Sequence, residues 1–509
     1  MTRAFEPAVP RQSRNKSVVH IAMGFVVLCL LGALAVSHPA YGLGLFGVAI
    51  VLGCCYFMAS CLKRARLELW QVLTLAGMSG YLILNYGFEN LTIHAGSFPI
   101  IISYILMYTC VALALLSSRG LLQLAMQEPV FLIFLALTAM VILHLAFDLP
   151  TYGIWAIRDS TMILDGVFML LGYAWARKRN SITPLIGWLM LVSIVNLFYS
   201  YTLPWSEKIQ SFSPTSGVFL QVPILGNYHT SALVLVAGAM FCICLGSYLT
   251  HRQWLLLGLA AAQLLGLAIQ QARQMYVGVV VCILILVVLG ETARYGKLLL
   301  MLGAAITVLA FATTVGGIQL SGRIGPITLE FFKDHIRSIS GAEKTPGSTV
   351  QSRLEWYDET LEHIRAHPFV GEGFGMPLIN YVDDESGAVV RIPHNSSLNL
   401  LARLGFVGLL VWIAFHLSFL RIFFDTYRQR QRCDKRLYDF MQWLFLWYVL
   451  FMIVSWVEGP FEYPTGAVPF YFFAGLTVGL ARWQVPDRKG MRSHVIAPGR
   501  TLAEISSSA

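Results

Sequence analysis

The chain has 509 residues, of which 57% are hydrophobic and only 12% charged, and its 36 Lys and Arg outnumber 27 Asp and Glu for a net charge of +9. A soluble domain carries about twice that share of charge, so the composition excludes the ordinary globular class. Apolar runs of the length that crosses a hydrocarbon core of about 30 Å recur along the whole chain. Fourteen can be counted, at 18–36, 41–62, 67–86, 97–117, 129–147, 160–177, 182–201, 229–250, 253–270, 274–290, 297–315, 397–420, 438–457 and 466–483. Very short hairpins at 37–40 and 271–273 separate two of the pairs. A spanning backbone must satisfy its own hydrogen bonds, and a helix does so locally. The sequence therefore predicts an all-α integral membrane protein of about 14 (12–14) transmembrane helices.

The cations set the orientation. With the N-terminus placed in the cytoplasm, the cytoplasmic segments hold 25 Lys and Arg, and the short loops on the far side hold only Arg158, Lys208 and Arg273. Such an excess is what the positive-inside rule expects, so the basic clusters, Arg428–Arg436 included, report topology and headgroup contact rather than nucleic-acid binding. The division that follows is a cytoplasmic tail at 1–17, eleven helices over 18–316, a long periplasmic loop at 317–396, three helices over 397–483 and a cytoplasmic tail at 484–509. The first apolar run is read as an uncleaved helix although Ala33-Leu34-Ala35 resembles a processing site. Eight of the nine cysteines lie in apolar runs and Cys433 in a cytoplasmic loop, so no disulfide framework is expected outside.

The long loop is the one extended polar stretch, with seven Lys and Arg against eleven Asp and Glu. Its Gly-, Ser-, Thr- and Pro-rich portion, 340–350, is expected to be mobile. Ser352-Arg353-Leu354-Glu355 then has capping-box form, and Leu354, Tyr357, Leu361 and Ile364 follow at helical spacing as one apolar face. Pro368 should stop that helix. Gly371-Glu372-Gly373-Phe374-Gly375 has no strand before it and no helix-opening pattern after it, so it reads as a tight surface turn rather than a dinucleotide fingerprint.

Chemistry can be carried by few residues on this face. The loop ends in Ile392-Pro393-His394-Asn395-Ser396 and delivers His394 to the membrane boundary, with His335, His363 and His367 as competing histidines. Arg353 falls in the expected first helical turn, where backbone N–H groups favour an anion. Arg273, in Gln270-Gln271-Ala272-Arg273-Gln274, stands in a hairpin where positive charge is scarce. It can be a phosphate clamp, or a headgroup contact or ion pair with Glu458 or Glu462. Arg158, between Asp148 and Asp159, is a further phosphate candidate that a local ion pair explains equally well. Asp165, inside the sixth predicted span, reads as a structural hydrogen-bonding group. The loop histidines and carboxylates have no metal-ligand spacing.

Ser352-Arg353-Leu354-Glu355-Trp356 with His367-Pro368-Phe369-Val370-Gly371-Glu372-Gly373-Phe374-Gly375, and Pro393-His394-Asn395-Ser396-Ser397-Leu398 running on to Leu404-Gly405-Phe406-Val407-Gly408, resemble the long-loop signature of the O-antigen ligase and polymerase superfamily. Gly226-Asn227-Tyr228-His229 and Gln271-Ala272-Arg273-Gln274 resemble family motifs more loosely. The likeness covers about 215–420 and departs from the family at Arg403, where an acidic residue is common, and at Gln270–Ala272, where a serine is common. The resemblance implies an inverting, metal-independent glycosyltransferase of the bacterial inner membrane, using an undecaprenyl-pyrophosphate-linked glycan and no separate cofactor. It implies pyrophosphate binding by Arg273 and Arg353, proton abstraction from the acceptor hydroxyl by His394, and supporting roles for Tyr276, Asn395 and Arg158. Span number, chain length and the absence of an appended periplasmic domain favour a polymerase of lipid-linked repeat units, which would work with a flippase and a chain-length regulator. A ligase acting on lipid A-core, or a protein O-oligosaccharyltransferase, shares the same chemistry. A lipid-linked-glycan transporter is a different class, against which stand the single acid inside a span and the lack of an internal repeat.

Overall fold

The computed structural model describes residues 67–483 except 96–97, 179–181, 219–220, 227–230, 250–252, 315–321, 326, 329–348 and 383–388. The expected tails, the spans at 18–36 and 41–62 with their hairpin, His335, the segment Asn227-Tyr228-His229 and nearly all of 340–350 lie outside the described residues. Within them the chain is an all-α membrane protein. Seven helices are long and apolar enough to cross a membrane, and four shorter apolar helices accompany them.

In chain order the principal helices are α1 (Leu69–Ser79, continued by a π turn Gly80–Leu84), α2 (Ile102–Ser117), α3 (Pro129–Tyr152), α4 (Ile154–Leu164) and α5 (Met169–Ala176). Next come α6 (Ile182–Tyr201), α7 (Ser231–Leu249), α8 (Gln253–Gln270), α9 (Arg273–Val288) and α10 (Thr292–Thr314). The loop helix α11 (Thr349–Ala366) and three last helices complete the set: α12 (Ser396–Arg428), α13 (Lys435–Ser455) and α14 (Pro464–Trp483). Among the described residues the strands pair as two-stranded antiparallel ribbons, one of them β1 (Thr92–Ala95) with β2 (Phe98–Ile101), which precedes α2. The span expected at 160–177 is broken. A 3₁₀ turn, Asp165–Phe168, joins α4 to α5, and fully buried Asp165 accepts a 3.4 Å hydrogen bond from the Tyr104 hydroxyl.

Burial sorts the helices. In α14 the central apolar window is 89% buried, whereas in α3, the most apolar helix, only 28% is. Lipid is as apolar as leucine, so hydrophobicity alone cannot choose the central helix; packing does. A Cβ on Gly475 of α14 would fall 1.8 Å from the Met169 carbonyl oxygen, and one on Gly172 of α5 would fall 1.9 Å from that of Phe472. The two backbones touch through paired glycines, as small-residue interfaces in membranes do.

The glycine-rich stretch after α11 is not a surface turn. Gly371, Gly373 and Gly375 all have positive φ (76°, 85° and 99°) and all are buried. The cause lies in α12, which is kinked at Gly405 (φ 64°, ψ −168°). A break there separates the amides of Phe406 and Val407 from the carbonyls of Ala402 and Arg403, their partners in an unbroken helix. The loop supplies all four substitutes. Phe406 and Val407 N–H donate to Pro368 O (2.8 Å) and Phe369 O (3.2 Å), while Ala402 O and Arg403 O accept from Glu372 N (2.9 Å) and Gly373 N (3.1 Å). A Cβ on Gly371 would meet the Arg403 backbone at 2.3 Å, and one on Gly405 the Phe369 backbone at 2.3 Å.

Charge locks the turn in place. Arg403, fully buried, donates to Gly373 O (3.1 Å), Met376 O (2.7 Å) and Asp159 Oδ2 of α4 (3.0 Å). Arg391 donates to Gly375 O (2.6 Å) and lies 4.1 Å over the Trp155 ring. Asp148 of α3 accepts from Phe374 N at 2.7 Å, so it is not the partner of Arg158. The loop helix starts earlier than its sequence signal. It already runs at Thr349, so Ser352 is inside the helix rather than its cap, and Glu355 accepts from Gln351 Nε2 (3.1 Å) instead of closing a capping box. Its buried face also starts later: Leu354 is 53% exposed, whereas Ile364 packs with Leu378 and Ala402.

Gly371→Ala and Gly405→Ala should each destabilise the protein by about 2 kcal/mol or more, through a strained φ and a backbone collision together. Asp159→Asn should cost about 3–5 kcal/mol by leaving Arg403 buried beside a neutral partner. Thermal unfolding of the detergent-purified variants measures both, and midpoints equal to wild type would refute this account of the turn.

Candidate functional site

His394 sits at the seam between the loop and α12. Its φ is +49°, a conformation uncommon for a residue with a β-carbon. The following residue fixes it from one side: Asn395 caps α12, its side chain accepting from Leu398 N at 3.0 Å. Glu462 holds the same turn from below, accepting from Ser396 Oγ (2.8 Å) and Asn399 Nδ2 (2.8 Å). Burial pushes the Glu462 carboxyl up, and those two hydrogen bonds oppose the shift. From the other side Trp356 of α11 packs against the imidazole, ring centroids 5.3 Å apart, and Tyr381 backs Trp356 at 5.6 Å. His394 lines a cavity with Tyr86, Gln274, Glu458 and Tyr463.

The competing histidines go elsewhere. His363 Nδ1 pairs with Glu372 Oε2, and His367 is exposed beside the turn. Outside the loop, His144 contacts Val370 O at 3.0 Å and His416 contacts the Tyr448 hydroxyl at 2.9 Å among aromatic rings. Of the described histidines, His394 is the one in that cavity.

Arg273 opens α9, directly after the two-residue link Gln271-Ala272, and is half-buried. Gln274, the next residue, reaches into the cavity and donates to Glu458 Oε1 at 2.6 Å. Of the two acids expected as ion-pair partners for Arg273, Glu462 holds the start of α12, and Glu458 accepts from Gln274. Gln271 has φ +52° and is fully buried. Its Oε1 accepts from Ile324 N (2.6 Å) and Gly325 N (3.1 Å), and its Nε2 donates to Gly325 O (3.0 Å). Arg323 N donates to Ile269 O at 3.0 Å. These bonds stitch residues 322–325 to the hairpin and bring Arg323 beside Arg273. Desolvation pushes the Arg323 guanidinium down, Glu458 opposes that, and the like charge of Arg273 adds to it.

Arg353 is half-buried on α11, three residues before Trp356 and so on the same helical face. Neither Arg273 nor Arg353 is among the described residues that line the cavity of His394; Gln274, next to Arg273, lines it, and Trp356, on the face of Arg353, packs on the His394 ring. Arg158 is tied to Asp159 (3.2 Å) with its guanidinium 5.3 Å over Trp155, and it also hydrogen-bonds Tyr463, which lines the His394 cavity. Tyr276 lies near enough to Arg323 to act on its charge. The described residues gather no group of three His, Cys, Asp or Glu side chains of the kind that holds a metal ion.

Sequence reasoning missed Gln271, Arg323 and the contact of Trp356 with His394. Gln271 carried a signal, as the departure from serine in the hairpin. Nothing in its spacing distinguishes Arg323 from the other loop cations.

A search of curated proteins finds no match to the chain. A family model described as O-antigen ligase matches residues 258–413, from early in α8 to beyond the kink of α12, and so takes in Arg273, Arg353 and His394. That segment is under half of the chain, and over it the chain is similar to the O-antigen ligase family, in support of the O-antigen ligase and polymerase superfamily.

Proposed function

We propose that the chain transfers glycan from an undecaprenyl-pyrophosphate carrier to an acceptor hydroxyl, with inversion at the anomeric carbon. The observation that carries this reading is the placement of His394, held in a left-handed backbone between a capped helix and Trp356, in a cavity reached from the arginine-bearing hairpin. His394 removes the proton of the acceptor hydroxyl as its oxygen attacks the anomeric carbon. The bond from that carbon to the pyrophosphate oxygen breaks, and its electron pair leaves with the pyrophosphate. Arg273 and Arg353 stabilise the charge gathering there. Asn395 and Glu462 act through the backbone, by fixing the turn that aims His394. The carrier linkage already activates the sugar, so no nucleotide sugar is consumed.

The distribution of Lys and Arg puts the long loop on the periplasmic face of the inner membrane, where the carrier presents its glycan. The acceptor is either a second lipid-linked repeat unit, the polymerase reaction that chain length and span number favour, or lipid A-core, the ligase reaction in the description of the matching family.

His394→Ala should lower turnover by about 10²–10⁴-fold, the usual contribution of a general base. Arg273→Ala and Arg353→Ala should each lower it by about 10²–10³-fold. Membrane levels should stay normal in all three. The assay is purified protein with lipid-linked oligosaccharide, and wild-type turnover in the histidine variant would remove the general-base role.

The surface-glycan profile of a deletion strain carrying His394→Ala identifies the acceptor. Single repeat units without a ladder mark a polymerase, and full-length polymer retained on the carrier marks a ligase.

A further inference from the structure

The hairpin between α8 and α9 is built more elaborately than a link of two residues requires. Gln271 adopts a left-handed backbone, an uncommon conformation for a residue with a β-carbon, and both polar atoms of its amide bond the backbone of 324–325. Gly322 is part of the fit, since a Cβ there would fall 2.4 Å from the Gln271 amide. Of the four clamped residues, Gly322-Arg323-Ile324-Gly325, only Arg323 is charged. The clamp therefore fixes the backbone that carries Arg323, close to the start of α9 where Arg273 stands.

Arg273 and Arg323 stand close enough for their like charges to act on each other, and Glu458 opposes that effect at Arg323. Arg273, Arg323 and Glu458 bring two cations and one anion together, with Tyr276 nearby. Arg323 also keeps an exposed surface, so a ligand can reach it. Gln274, joined to Glu458, links this cluster to the cavity of His394.

We infer that Arg323 is an additional ligand of the substrate pyrophosphate, forming with Arg273 a two-arginine clamp that Gln271 positions. This rests on the reading of the protein as a transferase of pyrophosphate-linked glycans. A diphosphate offers oxygens on two phosphorus atoms, and two guanidiniums engage both where one engages a single phosphate.

The test is binding of undecaprenyl pyrophosphate, undecaprenyl monophosphate and phosphatidylglycerol to the full-length protein in nanodiscs. Wild type should prefer the pyrophosphate. Arg323→Ala should weaken pyrophosphate binding about tenfold or more, the usual weight of a charge-assisted hydrogen bond, and change monophosphate binding little. Arg323→Lys should recover only part of the loss. Gln271→Ala should reproduce the loss of preference, and adding it to Arg323→Ala should cost nothing further, which a general loss of structure would not do. Unchanged pyrophosphate binding in Arg323→Ala, with Arg273→Ala impaired, would overturn the role of Arg323 and leave the transferase reading intact. Phosphatidylglycerol binding as tightly as the pyrophosphate, and equally sensitive to Arg323→Ala, would reduce Arg323 to a headgroup contact. A wild type that binds no pyrophosphate overturns both readings.

Discussion

The exchange of backbone hydrogen bonds at Gly405 is the constraint from which the rest of the loop-bearing face follows. A kink in a spanning helix leaves two amides and two carbonyls without helical partners, and each such group costs several kcal/mol where water is excluded. Here Pro368, Phe369, Glu372 and Gly373 take up all four. The loop is thereby a structural part of α12 rather than a cover laid over it. Glycine is needed on both sides of the splice, because the two backbones approach too closely for a β-carbon at either Gly371 or Gly405.

The buried charges make sense against that splice. Arg403 is wholly enclosed, an arrangement tolerable only when a guanidinium finds several acceptors. It finds Asp159 and two carbonyls of the glycine turn, while Arg391 takes a third. The departure from the family pattern at Arg403 is thus matched by Asp159 on a helix 244 residues away in sequence. Arg158 joins the same network through Asp159 and also reaches Tyr463, a wall of the His394 cavity.

From this anchored loop the geometry of the candidate site follows. Docking at Pro368 and at the contact of Ile364 with Ala402 fixes the course of α11. Trp356 then meets the His394 ring, and Arg353 shares the face of Trp356. On the far side of the cavity, the hairpin at Gln271 sets Arg273 and Arg323 together. Two segments far apart in sequence therefore both connect to His394, α11 through Trp356 and the hairpin through Gln274 of the shared cavity.

The sequence by itself determined the all-α membrane class, because hydropathy is a property of a chain read one residue at a time, but not the break of the span at 160–177. It also singled out His394 and the hairpin at Arg273, since each stands at a boundary between polar and apolar runs. Helix ends within the loop were less legible: the capping-box pattern at Ser352 lies inside a helix already running at Thr349, because tertiary packing overrides a local cap. The glycine turn was misread as a surface feature for a deeper reason. Whether Gly371 and Gly373 are exposed depends on a broken hydrogen-bond ladder at Gly405, more than thirty residues onward. Gln271 and Arg323 are likewise joined only by pairing across some fifty residues. Periodicity reports which face of an element is apolar, and it is silent on which distant backbone groups will need a partner. Tertiary structure decided those pairings, and with them the positions of the site residues.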